Sequence, residues 1–186
     1  MDSSVLDPMK NLFEWTSVRW EKCLTLYELA RQATGPIVEL GAFDGNGTIA
    51  LALGSKAGNR VPVYGVDQWE RFTGLYQQQF YPEDRDRLID NIIKTQVLGI
   101  VETIKSDAVG LSNRWEHGPV SLLVWDISLP RLFEDWQAWH RHIAPGGLFV
   151  GKDTTIWDFG WQEVQQDALE KGWTVELAKL EACLWG

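Results

Sequence analysis

The residues best suited to chemistry gather at or just beyond the ends of five short apolar runs. Glu39 lies in Ile37-Val38-Glu39-Leu40, and Asp44 follows in a glycine-rich turn. Asp67 closes the run beginning Val61, Asp107 follows Ile100–Ile104, Asp126 follows Val120–Trp125, and Asp153 comes after Leu148–Gly151. Carboxylates at such places accept hydrogen bonds from hydroxyls and amines, pair with cations, or take a proton from a nucleophile. A carboxylate closing a buried strand is seldom there for stability, because burying an unpaired charge is costly. For Asp126, an N-terminal cap of the following helix is the alternative reading.

The turn after Leu40 narrows the choice of ligand. Gly41, Gly45 and Gly47 fall within seven residues, a spacing that lets the backbone take positive φ and approach a ligand closely, as in nucleotide-binding turns from strand to helix. A phosphate-bearing cofactor would meet repulsion from Glu39 and Asp44, whereas S-adenosylmethionine, with its ammonium and sulfonium, finds partners there. Asp44 also reads as an ordinary turn residue, and Glu39 as a strand-end acid. Asp67 stands where nucleoside-binding βαβ units place the acid that receives ribose hydroxyls. The candidate cofactor contacts are therefore Glu39, Gly41, Ala42, Asp44, Gly45, Asn46, Asp67 and Gln68.

With Glu39-x-Gly41-x-x-x-Gly45 and Asp67 in register, the chain resembles the class I S-adenosylmethionine-dependent methyltransferases. Asp135-x-x-x-Trp139, Pro145-Gly146-Gly147 and Asp153 are similar to a small family within that class, over roughly Thr16 to the C-terminus. The resemblance implies that Asp107 and Ala108 neighbour the adenine and that Asp126 stands beside the methyl group, with Asp126 and Asp153 as the catalytic acids. Where that family has D-G-D-H-x-Y, this chain reads Asp126-Ile-Ser-Leu-Pro-Arg131, and the family's H-D pair is Lys152-Asp153, so the family's His base is absent. A divalent metal shared by Asp126 and Asp153 is disfavoured, because two oxygen ligands are few even for Mg²⁺.

The elements that must position these residues follow from periodicity. Thr16 or Ser17 caps a helix running to about Ala33, with Trp20, Cys23, Leu24, Tyr27 and Ala30 on one apolar face. Short strands alternate with helices from about Ile49 to Lys56, after Pro82, from Pro130 to Ala144 and from Trp161 to Lys171, which implies a parallel sheet with right-handed crossovers. Two closing strands, Trp173–Ala178 and Ala182–Trp185, have a link too short for a parallel crossover. The expected fold is a Rossmann-like α/β domain: a seven-stranded, mostly parallel sheet with helices on both faces and a C-terminal antiparallel hairpin. One domain spans 1–186, with 1–15 as an irregular leader. The aromatic segment Gln68–Tyr81 lies past a strand's C-terminal end and reads either as a substrate lid or as a surface helix. Its Trp69, Arg71 and Tyr76, with Lys152, are the candidate substrate contacts.

Composition excludes other classes. A net charge of −9 with no basic cluster argues against a general nucleic-acid binder. Hydrophobic content of 45% without a long apolar run gives no sign of a membrane span, and the N-terminus does not read as a secretory signal. Cys23 and Cys183 are isolated, as expected of a reducing cytoplasm. Most of the eleven tryptophans are expected in the core. The sequence therefore points to a cytoplasmic methyltransferase acting on a small molecule, most simply at oxygen, and is compatible with a homo-oligomer. The alternatives are an S-adenosylmethionine-binding protein without catalysis, serving as a sensor or partner subunit, and a nicotinamide-dependent oxidoreductase. The acidic loop and closing hairpin disfavour the oxidoreductase.

Overall fold

The computed structural model describes residues 3–13, 17–73, 79–152, 160–174, 176–180 and 183–185. Five strands form a parallel sheet: β1 (Ile37–Leu40), β2 (Val63–Asp67), β5 (Val101–Lys105), β6 (Val120–Trp125) and β7 (Ile143–Lys152). Their spatial order is β5-β2-β1-β6-β7. From β1 the chain winds outward through β2 to β5, then returns to place β6 on the other side of β1. The β1/β6 boundary is thus the point where the winding reverses, and ligands of open α/β sheets bind in the crevice outside the strand ends at such a point.

Both faces of the sheet are covered, which is why the central strands read as continuous apolar runs. On one face α1 (Ser17–Gln32), α2 (Asn46–Ala57) and α3 (Asp84–Lys94) pack on Ile37, Val63, Leu122 and Val124. On the other, α4 (Ala108–Ser112), α5 (Leu132–Trp139) and α6 (Trp161–Glu170) pack on Val38, Leu40, Val66 and Leu123. The second face is the tryptophan layer, with Trp115, Trp125, Trp136, Trp139 and Trp161 all buried. Helices α1 and α2 approach closely because Gly54 has no side chain: a Cβ there would lie 2.1 Å from the Tyr27 carbonyl oxygen.

Several expectations need correction. Ser3–Met9 is a 3₁₀ helix and not an irregular leader, and Leu6 and Met9 are completely buried in the core. A 3₁₀ helix aligns residues three apart on one face, so this pair points inward together. The segment after Asp67 contains two short antiparallel strands, β3 (Phe72–Thr73) and β4 (Gln79–Phe80), so the alternative of a surface helix does not hold at those residues. Helix α5 is shorter than Pro130–Ala144, and Pro145-Gly146-Gly147 lies within β7. There the pairing jumps from Val120↔Ile143 to Leu122↔Leu148, and the extra residues form a bulge with Gly146 at φ 77°.

Candidate active site

The strand ends are stitched together by backbone hydrogen bonds. Gly41 and Ala42 donate their N–H groups to the Val66 carbonyl at 2.8 and 3.0 Å, and the Asp126 N–H donates to the Leu40 carbonyl at 2.8 Å. Gly41 has φ 94°, and a Cβ there would lie 2.3 Å from the Asp126 carbonyl oxygen, so glycine is required for both conformation and space. Over these ends opens a cavity of about 600 Å³.

Of the residues singled out from sequence, Glu39, Gly41, Ala42, Asn46, Asp67, Gln68, Arg71, Asp107, Ala108 and Asp126 line this cavity. Asp44, Gly45 and Trp69 do not line it. Gly45 carries the positive φ of 96° that opens α2. Asp44 is half-buried and accepts from the Asn46 amide at 3.4 Å, while burial pushes its carboxyl above the usual range. Trp69 is a brace: buried, with its indole N–H donating to the Phe43 carbonyl at 2.9 Å and the Arg85 guanidinium 5.4 Å above its ring. Tyr76 and Asp153 lie outside the described residues, as does the side chain of Lys152.

Asp67 is oriented by backbone N–H groups. Its Oδ2 accepts from the Phe43 N–H at 3.0 Å and its Oδ1 from the Trp69 N–H at 2.9 Å. Each oxygen keeps acceptor capacity, since a carboxylate offers about four lone-pair sites. Burial raises its pKa above the ordinary carboxylate value, and the backbone N–H groups offset only part of that rise. Asp107 accepts from the Gly110 N–H at 2.7 Å through Oδ1, so it caps α4 while lining the cavity. Glu39 is 1% exposed and receives a hydrogen bond from the Thr48 hydroxyl.

The most consequential residue was not legible as a site residue. Lys22 of α1 is buried, lines the cavity, and forms an ion pair with Asp126. Burial alone would lower the lysine pKa, but the charges of Asp126 and Glu39 outweigh it and hold the ammonium well above the ordinary lysine range. Asp126 is therefore engaged by a cation 104 residues earlier in the chain, and the N-cap position of α5 is Arg131. The available signal was a break in amphipathicity: Arg19, Lys22 and Leu26 share a helix face at spacings of three and four, beside the apolar stripe. Cys23, adjacent to Lys22, is fully buried with its thiol pushed up to about 12 by burial, and its Sγ lies 3.7 Å from the Asn46 carbonyl oxygen.

The Asp135-x-x-x-Trp139 pattern supports the site from behind. Asp135 accepts from the Trp125 indole N–H at 2.9 Å and from Arg131 Nε at 3.0 Å, with Arg131 Nη2 also 2.9 Å away. It thereby fixes both ends of the Asp126–Arg131 loop, whose Asp126, Ile127, Ser128, Leu129 and Arg131 line the cavity. Trp139 donates its indole N–H to the Ala108 carbonyl at 2.9 Å, clamping the Ser106–Ala108 wall. None of the three histidines lines the cavity; His142 lies 3.1 Å from the Ser112 hydroxyl, and His117 packs on Tyr64. Among the described residues, no cluster of three or more His, Cys, Asp or Glu is placed to hold a metal ion.

Comparison with known proteins agrees with this architecture. No curated protein matches the sequence. Among solved structures, the fold is similar to that of the O-methyltransferase NovP, with a TM-score of 0.72 at 11% identity, covering 89% of this chain and 78% of that one. It is similar to the O-methyltransferase TomG from Streptomyces achromogenes, involved in tomaymycin synthesis and solved with S-adenosylmethionine (TM-score 0.61, 15% identity, 98% of this chain and 93% of that one). An O-methyltransferase from Bacillus cereus solved with S-adenosylhomocysteine gives a TM-score of 0.62 at 15% identity, covering 100% and 90%. At these identities the likeness concerns the fold. The family described as "Methyltransferase domain" matches residues 38–154, more than half of the chain and the whole span from Val38 to the end of β7. The chain belongs to the methyltransferase-domain family.

Proposed function

We propose that the protein transfers a methyl group from S-adenosylmethionine to an oxygen of a small molecule. The observation that carries this reading is the cavity at the β1/β6 switch point, where Glu39, Asp67, Asp107 and Asp126 converge around a glycine turn, Gly41–Gly47, that holds an acid and no cation. The residues present fit the cofactor. Gly47 makes room for the Glu39 carboxylate, since a Cβ there would lie 1.9 Å from Glu39 Oε1, and Asp67 is oriented with acceptor capacity to spare.

In this reading Asp67 holds the ribose hydroxyls, with Gln68 beside it. Asp107 and Ala108 flank the adenine, and Glu39, Gly41, Ala42 and Asn46 form the wall near the methionine end. S-adenosylmethionine supplies, when bound, a methyl group already activated by its sulfonium. The chain contributes alignment and exclusion of water, which can supply much of the rate for an in-line displacement. Asp126 receives the proton of an acceptor hydroxyl, and Arg71 helps hold the acceptor. Asp153 and Lys152 belong to the same proposed acceptor side by their position in the sequence, Lys152 ending β7 and Asp153 following it.

The finer fold belongs to this proposal: one domain whose sheet is completed to seven strands by an antiparallel hairpin of β8 (Glu176–Leu180) and β9 (Cys183–Trp185). The register Val150↔Trp185 and Glu176↔Trp185 supports it. The acidic balance supports a small-molecule partner over nucleic acid. No helix among the described residues is long and apolar enough to cross a membrane. A binder without catalysis is disfavoured by family membership. Calorimetry with S-adenosylmethionine, S-adenosylhomocysteine and NAD should show the first two binding and NAD not. Release of S-adenosylhomocysteine with hydroxylated aromatic and aliphatic acceptors should then identify a substrate. Binding of NAD alone overturns the proposal.

A further inference from the structure

Lys22 is a buried ammonium in a site proposed for a cofactor that changes charge during the reaction. It stands on α1, faces the cavity between the ends of β1 and β6, and is paired with Asp126, with side chains 7% and 12% exposed. Glu39, on the adjacent strand, contributes to holding its proton. A charge fixed in a poorly solvated crevice acts on its neighbours more strongly than one in water, because little solvent is available to screen it. S-adenosylmethionine carries a sulfonium, whereas S-adenosylhomocysteine has a neutral thioether. On transfer the methyl carbon would exchange its bond to sulfur for one to the acceptor oxygen, the carbon–sulfur electron pair staying on sulfur and cancelling the positive charge there.

We propose that Lys22 is a specificity-determining residue of the cofactor site, its ammonium disfavouring the sulfonium form and Asp126 opposing it, so that the pair sets the balance between substrate and product cofactor. This rests on reading the cavity as an S-adenosylmethionine site. The consequence reaches catalysis, since a group that destabilises the sulfonium more than the transition state, where that charge is already fading, lowers the barrier. Asp126 keeps the effect within bounds: without it, the Lys22 ammonium would bear more fully on the sulfonium. The pairing with Asp126 also offsets part of the desolvation cost of burying a lysine there.

The test is calorimetric and needs no acceptor. Dissociation constants for S-adenosylmethionine and S-adenosylhomocysteine are measured for the wild type, Lys22→Met, Asp126→Asn and the double variant, and their ratio is compared within each protein. This cancels changes common to both ligands. Removing the ammonium should raise the preference for S-adenosylmethionine roughly tenfold, and removing the carboxylate should lower it by a similar factor. The double variant should return near the wild-type ratio. Should Lys22→Met fail to fold because Asp126 is left buried and unpaired, Asp126→Asn against the double variant reads the same lysine charge without an orphaned carboxylate. Ratios that stay within twofold of wild type, or that move in the same direction for both single variants, overturn the inference while leaving the cofactor site standing. Binding of neither ligand to the wild type overturns both.

Discussion

At the scale of single residues, the site is a set of carboxylates, each restrained by a different partner. Asp67 is fixed by backbone N–H groups, Asp107 by the first turn of α4, Asp126 by Lys22, and Asp135 by Trp125 and Arg131. Asp67→Ala should weaken S-adenosylhomocysteine by about 2–3 kcal/mol, as expected for lost charge-assisted hydrogen bonds, while the fold is retained by circular dichroism. The pH dependence has a definite sign. Hydroxyl donors favour the ionised form of Asp67, whose pKa in the folded protein lies above the ordinary carboxylate value. Affinity should therefore be full well above that raised pKa and fall as the pH drops through it, earlier than an unperturbed aspartate would require. Calorimetry across mildly acidic pH should show this decline in the wild type and a flatter profile in the alanine variant. Asp135→Ala strands the Trp125 indole N–H and loosens Arg131, and should cost about 2–3 kcal/mol in urea unfolding.

At the scale of elements, the decisive contact is between α1 and α2, because it carries Lys22 to the strand ends. The Tyr27 carbonyl and the Ala30 methyl already fill the space beside Gly54. Gly54→Ala should force the helices apart and destabilise the protein by about 1–3 kcal/mol, overriding the usual helix-propensity gain of alanine. Because α1 then shifts relative to β6, S-adenosylhomocysteine binding should weaken as well, although no ligand contact is altered. The N-terminal 3₁₀ helix is a second such element. Leu6→Ala removes a completely buried side chain and should cost about 2–4 kcal/mol by denaturant unfolding, which an irregular leader would not.

At the scale of the molecule, the cavity joins the two halves of the wound sheet. Gly41 and Asp67 belong to the β1–β2 side, and Asp126 to the β6–β7 side. A ligand seated there holds both halves in their folded arrangement and has no counterpart site in the unfolded chain. S-adenosylhomocysteine at a hundred times its dissociation constant should stabilise the protein by about 2.7 kcal/mol, read as a shift of the urea midpoint without change of slope.

Much of this was written in local sequence. Alternating short strands and helices require a parallel sheet, Gly41 is demanded by the turn it makes, and Asp67 falls at a spacing set by one βαβ unit, so one side of the cavity was readable from residues close together in the chain. The family resemblance extended that reading to Asp107, Ala108 and Asp126. Local patterns do not report contacts across the chain. Lys22 and Asp126 are separated by 104 residues, and only the packing of α1 against α2 brings them together. Trp69 had the composition of a lid residue, yet the buried hydrogen bond to Phe43 turned it into a brace. Periodicity specifies which face of an element is buried; which charges then meet inside the cavity depends on how those faces dock, and that was settled only in three dimensions.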